Sequence, residues 1–395
     1  IGAQQLKTQV RDMAIRRRDG IRCPVDLFLL IIVVILTTIG VVMVASASSD
    51  ISNRMYGSPF YLLAKHMVFV AVGLGIACST LLVPIRFWQE MDWLLLTVTF
   101  ALLLVVLIPG IGREVNGSIR WISLGSFSIQ SSEFVKLFII IYVSAYLVRT
   151  KEQLLNQWLG VAKPIVLLAA VVVLLLMEPD FGAVVVITVS VLGLIFLAGV
   201  PLHQFLPVIT LSSLTVSCIA IWQPYRLQRL ITFADPWEHQ YTSGYQLTQA
   251  LIAFGRGEWF GLGLGNSIQK LFFLPEAHTD FLFSILAEEL GAVGAIVVIA
   301  LFVCLICRAL WIGKRAHENG EEFTGLLAYG IALLLSSQII INIGVNLGLL
   351  PTKGLTLPFI SYGGNSLVVC SILIAILLRI DYENRNEALH KGSIH

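Results

Sequence analysis

Apolar runs of roughly 20 residues recur along the chain and alternate with shorter polar segments. A helix of that length crosses the hydrocarbon core of a bilayer, and only a helix or a closed barrel satisfies its backbone groups there. The pattern predicts an all-α polytopic membrane protein of about ten transmembrane helices, with a long loop between the seventh and the eighth. The predicted spans are about 25–47, 61–83, 93–112, 131–149, 161–178, 181–199, 204–222, 281–312, 323–349 and 357–380.

The composition supports this prediction. Apolar residues make up 57% of the chain and charged residues only 13%, and the mean hydropathy is +0.87. The net charge of +2 gives no indication of a nucleic-acid partner, so none is expected. The six cysteines lie in or beside spans, where free cysteine packs as a small apolar residue. We therefore expect packing cysteines rather than a disulfide framework.

The basic residues predict the orientation. An even number of spans puts both termini on one side, and most basic residues lie on that side, whereas Arg113, Arg120, Arg226 and Arg229 do not. By the positive-inside rule both termini are cytoplasmic. The residues on that side are Lys7, Arg11, Arg16, Arg17, Arg18, Arg22, Arg149, Lys151, Arg308, Lys314, Arg315, Arg379, Arg385 and Lys391.

This topology divides the chain into three parts. A basic cytoplasmic N-terminal arm occupies 1–24, a single membrane domain occupies 25–380, and a cytoplasmic tail occupies 381–395. The membrane domain includes the large periplasmic loop at 223–280. Because the chain starts at Ile1 rather than Met, we expect further residues before it.

Three segments on the outer side are rich in turn-forming residues. The first is 112–130, and the second is the large loop, in which 244–254 predicts a short amphipathic helix at the membrane interface. The third is 351–365, which contains Lys353 and Ser361 and predicts an irregular start to the last helix. Irregular backbone at membrane depth is tolerated only beside a cavity or other protein, so both residues are candidates for substrate binding.

Ionisable residues enter the eighth span directly in the sequence LPEAHTDFLFSILAEELG at 274–291. Such groups are costly at the edge of a membrane helix and usually serve a polar cavity. Asp280 has two interpretations: a carboxylate that caps the helix, or a general base that reaches a substrate hydroxyl. Glu288 and Glu289 lie two turns deeper, where capping is impossible, and one of them is expected to pair with a buried base.

Other charged residues also have two interpretations each. Glu133 and Lys136 share one helix face, so they form a local ion pair or line a polar site in which Lys136 binds an anionic group. Arg120, Arg226 and Arg229 either contact solvent and headgroups or bind diphosphate, for which the guanidinium is well shaped. The Glu178-Pro-Asp180 stretch is interpreted mainly as turn chemistry.

Taken together, these stretches resemble the SEDS family of cell-wall polymerases, the RodA/FtsW group, over roughly residues 25–385. The amino-acid sequence at 244–267 and 352–366 resembles the division branch, FtsW, more than the elongation branch. Two positions depart from the family, which commonly has Pro at 131 and Gln at 178. The matching stretches are Arg120-Trp121, SSEFVK at 131–136, EPDFG at 178–182, PYRLQR at 224–229, GYQLTQALIAFGRGEWFGLGLGNS at 244–267, 274–291, and LPTKGLTLPFISYGGNSL at 350–367.

The resemblance implies a peptidoglycan glycosyltransferase that polymerises lipid II on the outer face of the bacterial cytoplasmic (inner) membrane, at the division septum. Asp280 matches the family's proposed catalytic aspartate, and Glu133 and Lys136 match polar residues of its central cavity. Undecaprenyl diphosphate is the expected leaving group. The sequence leaves open a divalent cation, Mg²⁺ or Mn²⁺, at the diphosphate, although no cluster of metal ligands stands out.

Implied partners are lipid II, membrane lipids, a class B penicillin-binding transpeptidase of the FtsI type, and divisome membrane proteins of the FtsQ, FtsL and FtsB types. Two other functions remain open at this stage. One is a lipid II flippase or transporter, which many spans and buried polar residues also fit, although no inverted repeat is visible. The other is a non-catalytic scaffold of the division machinery.

Overall fold

The computed structural model describes residues 25–115, 118–124, 127–222 and 224–392. Within these ranges the chain forms a bundle of helices with a small sheet. The helices are α1 Leu27–Tyr56, α2 Tyr61–Leu82, α3 Ile85–Glu90, α4 Asp92–Val106, α5 Ser131–Arg149, α6 Lys151–Asn156, α7 Trp158–Met177, α8 Phe181–Leu197, α9 Leu202–Trp222, α10 Pro224–Ala234, α11 Tyr245–Gly257, α12 Leu282–Glu318, α13 Glu322–Asn346 and α14 Gly364–Gly392.

Seven of the described helices are long and apolar enough to cross a membrane: α1, α2, α5, α7, α12, α13 and α14. Helices α4 and α8 are shorter but also apolar. The chain is therefore a multi-pass helical membrane protein, as the hydrophobic pattern predicts. The count of ten spans stays a prediction.

The segment 112–130 folds into a sheet, which the sequence did not predict. Strands β1 Gly112–Val115, β2 Ser118–Leu124 and β3 Phe127–Gln130 are antiparallel, in the order β1-β2-β3. Trp121 on β2 lies opposite Arg113 on one side and Gln130 on the other. The strand β3 runs directly into α5, so the sheet forms a wall over the start of that helix.

Helices α5, α8 and α13 pack together at the centre of the bundle. The hydrophobic part of α5 is 83% buried, whereas that of α2 is only 17% buried and so borders the lipid. A side chain at Gly330 on α13 would place its Cβ 2.6 Å from Ile140 of α5 and 3.0 Å from Leu194 of α8. The absence of a side chain therefore allows the three helices to approach closely.

The large loop lies against the bundle. The predicted amphipathic helix exists as α11, but its buried residues Leu247, Ala250 and Ala253 pack on the protein, chiefly against α12. The amphipathic helix is confirmed, and its position at the membrane interface stays a prediction. The buried face of α11 therefore packs on a neighbouring helix.

Helix α12 is interrupted at Gly291, where φ is 71° and ψ is −175°. The loop after α11 is inserted at this break: Leu262 N donates to Glu288 O at 3.0 Å, and Ala292 N donates to Glu258 O at 2.9 Å. A Cβ on Gly291 would lie 2.4 Å from the backbone nitrogen of Gly261. Glycine is therefore required both by the positive φ and by the close approach of the loop.

The two deep glutamates fasten the same loop. Lys270 Nζ lies 2.9 Å from Glu289 Oε1, and Arg256 Nε lies 3.4 Å from Glu288 Oε1. The prediction that one glutamate pairs with a buried base is confirmed. Both residues are structural here, because neither lines the cavity described below.

The last helix begins at Gly364, not at 357 as predicted, and continues past 380 to Gly392. The segment 351–363 before it contains no regular helix or strand, which agrees with the predicted irregular start. A Cβ on Gly364 would meet the Phe69 ring at 2.5 Å. The entry to α14 thus packs closely on α2.

Candidate active site

A cavity of about 1040 Å³ lies at the end of the bundle where α5, α8 and α12 begin. The sheet, the segment before α14 and the loop before α12 complete its wall. These elements come from distant parts of the sequence, so the cavity depends on the whole fold. It brings together six of the eight predicted site residues: Asp280, Glu133, Lys136, Arg120, Arg229 and Lys353.

Asp280 is fixed through its main chain. Its carbonyl oxygen accepts a hydrogen bond from Asn342 Nδ2 and another from Asn346 Nδ2, each at 3.0 Å. Asn346 Oδ1 in turn accepts from the backbone nitrogen of Ser284 at 3.1 Å and from its hydroxyl at 2.7 Å. The N-cap position of α12 is Phe281, and no side chain caps it, so the capping interpretation of Asp280 is wrong.

The environment of Asp280 favours its protonated form. The pKa of its carboxyl is raised from 3.8 to about 7, chiefly by burial and then by the charge of Glu276. Arg120 and Arg229 act in the opposite direction, and Asp180 adds a smaller upward contribution. A carboxylate with a pKa near neutrality accepts a proton readily while remaining largely ionised above it.

Glu133 and Lys136 form the predicted ion pair and also lie at the cavity, while the binding of an anionic group by Lys136 stays a prediction. Lys136 Nζ donates to Glu133 Oε1 at 2.8 Å and to Gln338 Oε1 at 3.2 Å, and both charged residues are buried. The two side chains also line the cavity. Pairing lowers the cost of holding the charges at this depth while leaving them at the cavity wall.

Arg120 is positioned by the turn between α7 and α8. Its Nη2 donates to Ser118 Oγ at 2.9 Å and to Pro179 O at 3.3 Å, and its Nη1 lies 3.6 Å from Asp180 Oδ1. Asp180 also accepts from Ser132 Oγ at 2.8 Å and caps α8 through Ala183 N at 3.1 Å. The turn chemistry predicted for the 178–180 stretch is thus present, and it also orients an arginine toward the cavity.

The two positions that depart from the family contact each other. Ser131 Oγ donates to Glu178 Oε2 at 2.9 Å, and Glu178 Oε1 has no hydrogen-bond partner among the described residues. Burial raises the pKa of Glu178 to about 8. A neutral carboxyl is therefore favoured here, and it is similar in shape and charge to the glutamine that the resemblance implies at this position.

Two further cations line the cavity, Arg229 from α10 and Lys353 from the segment before α14. Arg229 Nη1 donates to Thr352 O at 2.8 Å, which ties α10 to the segment before α14. Lys353 Nζ lies 4.1 Å from the centre of the Phe181 ring. Lys65, at the start of α2, also lines the cavity and was missed by the sequence analysis, because nothing local distinguishes it from a residue that anchors a helix end.

Two predicted residues do not join this set. The side chain of Arg226 lies outside the described residues. Ser361 is buried but is not among the cavity-lining residues, and its hydroxyl accepts from Leu357 N at 3.0 Å. That contact closes the turn before α14, which gives Ser361 a local structural role.

A ladder of three amides on α13 was also missed. Gln338, Asn342 and Asn346 are four residues apart, so they share one face of the helix. Gln338 Nε2 donates to Thr356 O at 3.0 Å, and Asn342 Nδ2 donates to Leu355 O as well as to Asp280. The sequence contains a signal for this ladder, because three amides at this spacing in an apolar span would be buried, and buried amides need hydrogen-bond partners.

The described residues contain no group of three or more His, Cys, Asp and Glu side chains that could hold a metal ion. Two acidic groups at the cavity already have partners, since Glu133 accepts from Lys136 and Asp180 accepts from Ser132 and Ala183. Glu276 and Asp280 are the other acids that line the cavity, and a divalent cation at the diphosphate stays a prediction.

Comparison with known proteins agrees with this architecture. The model of the FtsW/RodA/SpoVE family, described as cell cycle proteins, matches residues 26–386. The chain is 52% identical over 355 residues to the probable peptidoglycan glycosyltransferase FtsW of Pseudomonas fluorescens (strain SBW25), covering 90% of this chain and 86% of the relative. It is 51% identical over 371 residues to the protein of the same name from Coxiella burnetii (strain RSA 493 / Nine Mile phase I), covering 94% and 100%.

Solved structures agree as well. A chain from a peptidoglycan synthase complex that coordinates polymerization and crosslinking superposes with a TM-score of 0.77 at 28% identity, covering 91% of this chain and 98% of that one. The rod shape determining protein RodA of Thermus thermophilus gives 0.69 at 25% identity, covering 93% and 99%. The family match over nearly the whole chain, with relatives about half identical, shows that this protein belongs to the FtsW/RodA/SpoVE family.

Proposed function

We propose that this protein polymerises lipid II into glycan strands with Asp280 as the general base. The chain is a peptidoglycan glycosyltransferase, in keeping with the names of its relatives. The observation that carries the residue-level proposal is one cavity that contains Asp280 together with Lys136, Arg120, Arg229 and Lys353. A carboxylate and several cations in one cavity match the needs of sugar transfer from a diphosphate.

In the proposed reaction, the carboxylate of Asp280 takes the proton from the 4-hydroxyl of the GlcNAc of an acceptor lipid II. That oxygen then forms a bond to the anomeric carbon of the terminal MurNAc of the growing chain. The bond from that carbon to undecaprenyl diphosphate breaks, and the configuration inverts. The pKa of about 7 suits a base that works near neutrality.

The cations would stabilise the charge that develops on the departing diphosphate. Fixed charges aimed at such a position are usually a large contribution to catalysis. Arg120 is held by Ser118 and Pro179, and Arg229 by Thr352, so neither needs to reorganise during the reaction. Glu133 would hold Lys136 in place through the contact of 2.8 Å.

The membrane location suits substrates that stay attached to lipid. We propose that the cavity opens toward the periplasm, that both termini are cytoplasmic, and that the protein acts at the septum of the inner membrane. A transpeptidase partner of the penicillin-binding class is proposed from the similarity to a chain of a peptidoglycan synthase complex. Partnership with the FtsQ, FtsL and FtsB types of division protein remains part of the same proposal.

The test is polymerisation of purified lipid II by the protein with its partner present. Asp280→Ala is expected to lower turnover by about 100-fold to 10,000-fold, the usual contribution of a general base. Asp235→Ala is the matched control, because Asp235 is an exposed acid of the same large loop that does not line the cavity. Wild-type glycan synthesis by Asp280→Ala would remove the general base from the mechanism.

Two other functions are distinguished by the same preparation. A flippase would move labelled lipid II across vesicles without making glycan, and a scaffold would tolerate Asp280→Ala as long as the complex assembled. The cluster of cations around an acid favours the transferase, because a scaffold needs no charged groups in a cavity of this kind.

A further inference from the structure

A second cavity, of about 280 Å³, lies at the opposite end of the bundle. Helix α5 starts at the proposed active site and ends at Arg149, which lines this second cavity. Trp93 at the start of α4 and Lys163 near the start of α7 contribute to the same wall. The two cavities therefore face opposite membrane surfaces, and the second has no part in the proposed sugar transfer.

The second cavity has a net charge of one positive unit once its ion pair is counted. Arg149 Nη1 lies 2.8 Å from Asp92 Oδ2, and Asp92 is buried, so those two charges balance each other. Lys163 is exposed within the apolar helix α7, and no described carboxylate forms an ion pair with it. Lys163 lies in the second turn of α7, from which a lysine side chain reaches the membrane interface, where anionic headgroups lie.

The remaining walls are aromatic and apolar. The rings of Trp93 and Tyr142 meet edge to face with their centres 5.4 Å apart, and the Arg149 guanidinium lies 5.3 Å from the centre of the Trp93 ring. Leu167 closes the side toward the membrane interior. Such a wall suits the glycerol and first acyl carbons of an amphipathic molecule better than a free, fully hydrated ion.

We propose that this cavity binds the headgroup of an anionic glycerophospholipid that carries a single negative charge, with its phosphate beside Lys163 and Arg149. Basic pockets between membrane helices are known to bind anionic headgroups. The cavity holds a headgroup but not a whole lipid, so the acyl chains lie along the exposed apolar face of α7, where Val166 and Val173 project outward. This site is independent of the role of Asp280.

The test uses native mass spectrometry of the full chain in detergent, titrated with dioleoylphosphatidylglycerol or with dioleoylphosphatidylcholine. The wild type is expected to retain a phosphatidylglycerol adduct in preference to phosphatidylcholine. Lys163→Gln is expected to weaken that binding about fivefold, the effect of one basic group near an anionic lipid, whereas Lys163→Arg keeps it. Lys314→Gln is the matched control, because Lys314 lies at the same end of the bundle, exposed and paired with Glu318.

A steric variant distinguishes lipid binding in the cavity from lipid binding by general surface charge. Leu167→Trp fills the cavity without changing any charge and is expected to weaken phosphatidylglycerol binding as well. Equal losses in Lys163→Gln and Lys314→Gln, or full binding by Leu167→Trp, would overturn the proposal. Displacement of the lipid by inorganic phosphate at constant ionic strength, without displacement by chloride, would assign the cavity to a free anion and overturn it equally.

Discussion

Asp280 combines an unusual environment with a fixed position. Its carbonyl is held by two amides, while burial and the charge of Glu276 disfavour the ionised side chain. The arginines Arg120 and Arg229 moderate that effect. The residue is thus poised between two protonation states near neutral pH, which is the property that a general base requires.

The first residue-scale prediction concerns the pH dependence of the rate. Because the base acts in its ionised form and its pKa is about 7, kcat/KM for lipid II polymerisation should rise with pH and level off above a midpoint of about 7. Steady-state rates over a pH series measure this midpoint. A flat profile across that range, with the protein still folded, would contradict the assignment.

The second concerns stability. The pKa of Asp280 is about 7 in the folded protein against an ordinary value of 3.8, so the folded state binds the proton more tightly. Its contribution to stability is complete below the ordinary value and is lost as pH rises through about 7. Asp280→Asn stays neutral and should melt at a higher temperature than wild type at about pH 8, while the two proteins melt alike near the ordinary pKa. A difference that is independent of pH would argue against a raised pKa.

At the scale of elements, the amide ladder of α13 connects the separate walls of the cavity. Gln338 holds Lys136 and the carbonyl of Thr356, and Asn346 holds Asp280 and Ser284. One helix face therefore sets the positions of the base, the buried lysine and the segment before α14. The catalytic geometry depends on α13 even though the proposed chemistry takes place elsewhere.

Asn346→Ala should therefore impair catalysis through Asp280. The change leaves the Ser284 hydroxyl without its acceptor and removes one of the two donors to the Asp280 carbonyl, at about 1–3 kcal/mol of stability. A displaced base of this kind lowers turnover by about 100-fold, and kcat should fall more than KM rises in the lipid II assay. Ser336→Ala is the control, because Ser336 lies on the same helix and its hydroxyl donates to the carbonyl oxygen of Leu333 in that helix. Equal rates for the two variants would refute the positioning role.

The elements differ in how far the sequence predicts them. Apolar runs and the i, i+3 pair of Glu133 and Lys136 are local signals, and the structure agrees with both. The sheet depends on the pairing of short strands with a register shift after Arg113, which no single stretch reveals. The break in α12 depends on a loop about 30 residues earlier that contacts Gly291. The periodicity of apolar residues cannot predict non-local contacts of these kinds.

At the scale of the whole molecule, the site combines contributions that the sequence separates widely. The Arg120 and Asp280 side chains meet one cavity only because the sheet, α5, α12 and α13 pack together. The resemblance to a known family selected these residues in advance, whereas composition and spacing left each with two interpretations. The structure adds Lys65 and the second cavity, which neither source of prediction included.

The orientation of the molecule gives the last prediction. Helix α12 begins after the large loop and ends at Glu318, and it is long and apolar enough to cross the membrane. The large loop and Glu318 are therefore expected on opposite sides of the membrane. The ends of α5 and α12 near the second cavity carry Arg149 and Arg315, and basic residues are retained on the cytoplasmic side. In a background without native cysteines, Asp235→Cys should react with an impermeant maleimide in intact cells with a permeable outer membrane. Glu318→Cys, also exposed to solvent, should react only after lysis, because the proposed orientation places this charge-rich end in the cytoplasm. The reverse pattern would place the cavity on the wrong side for a periplasmic polymerase.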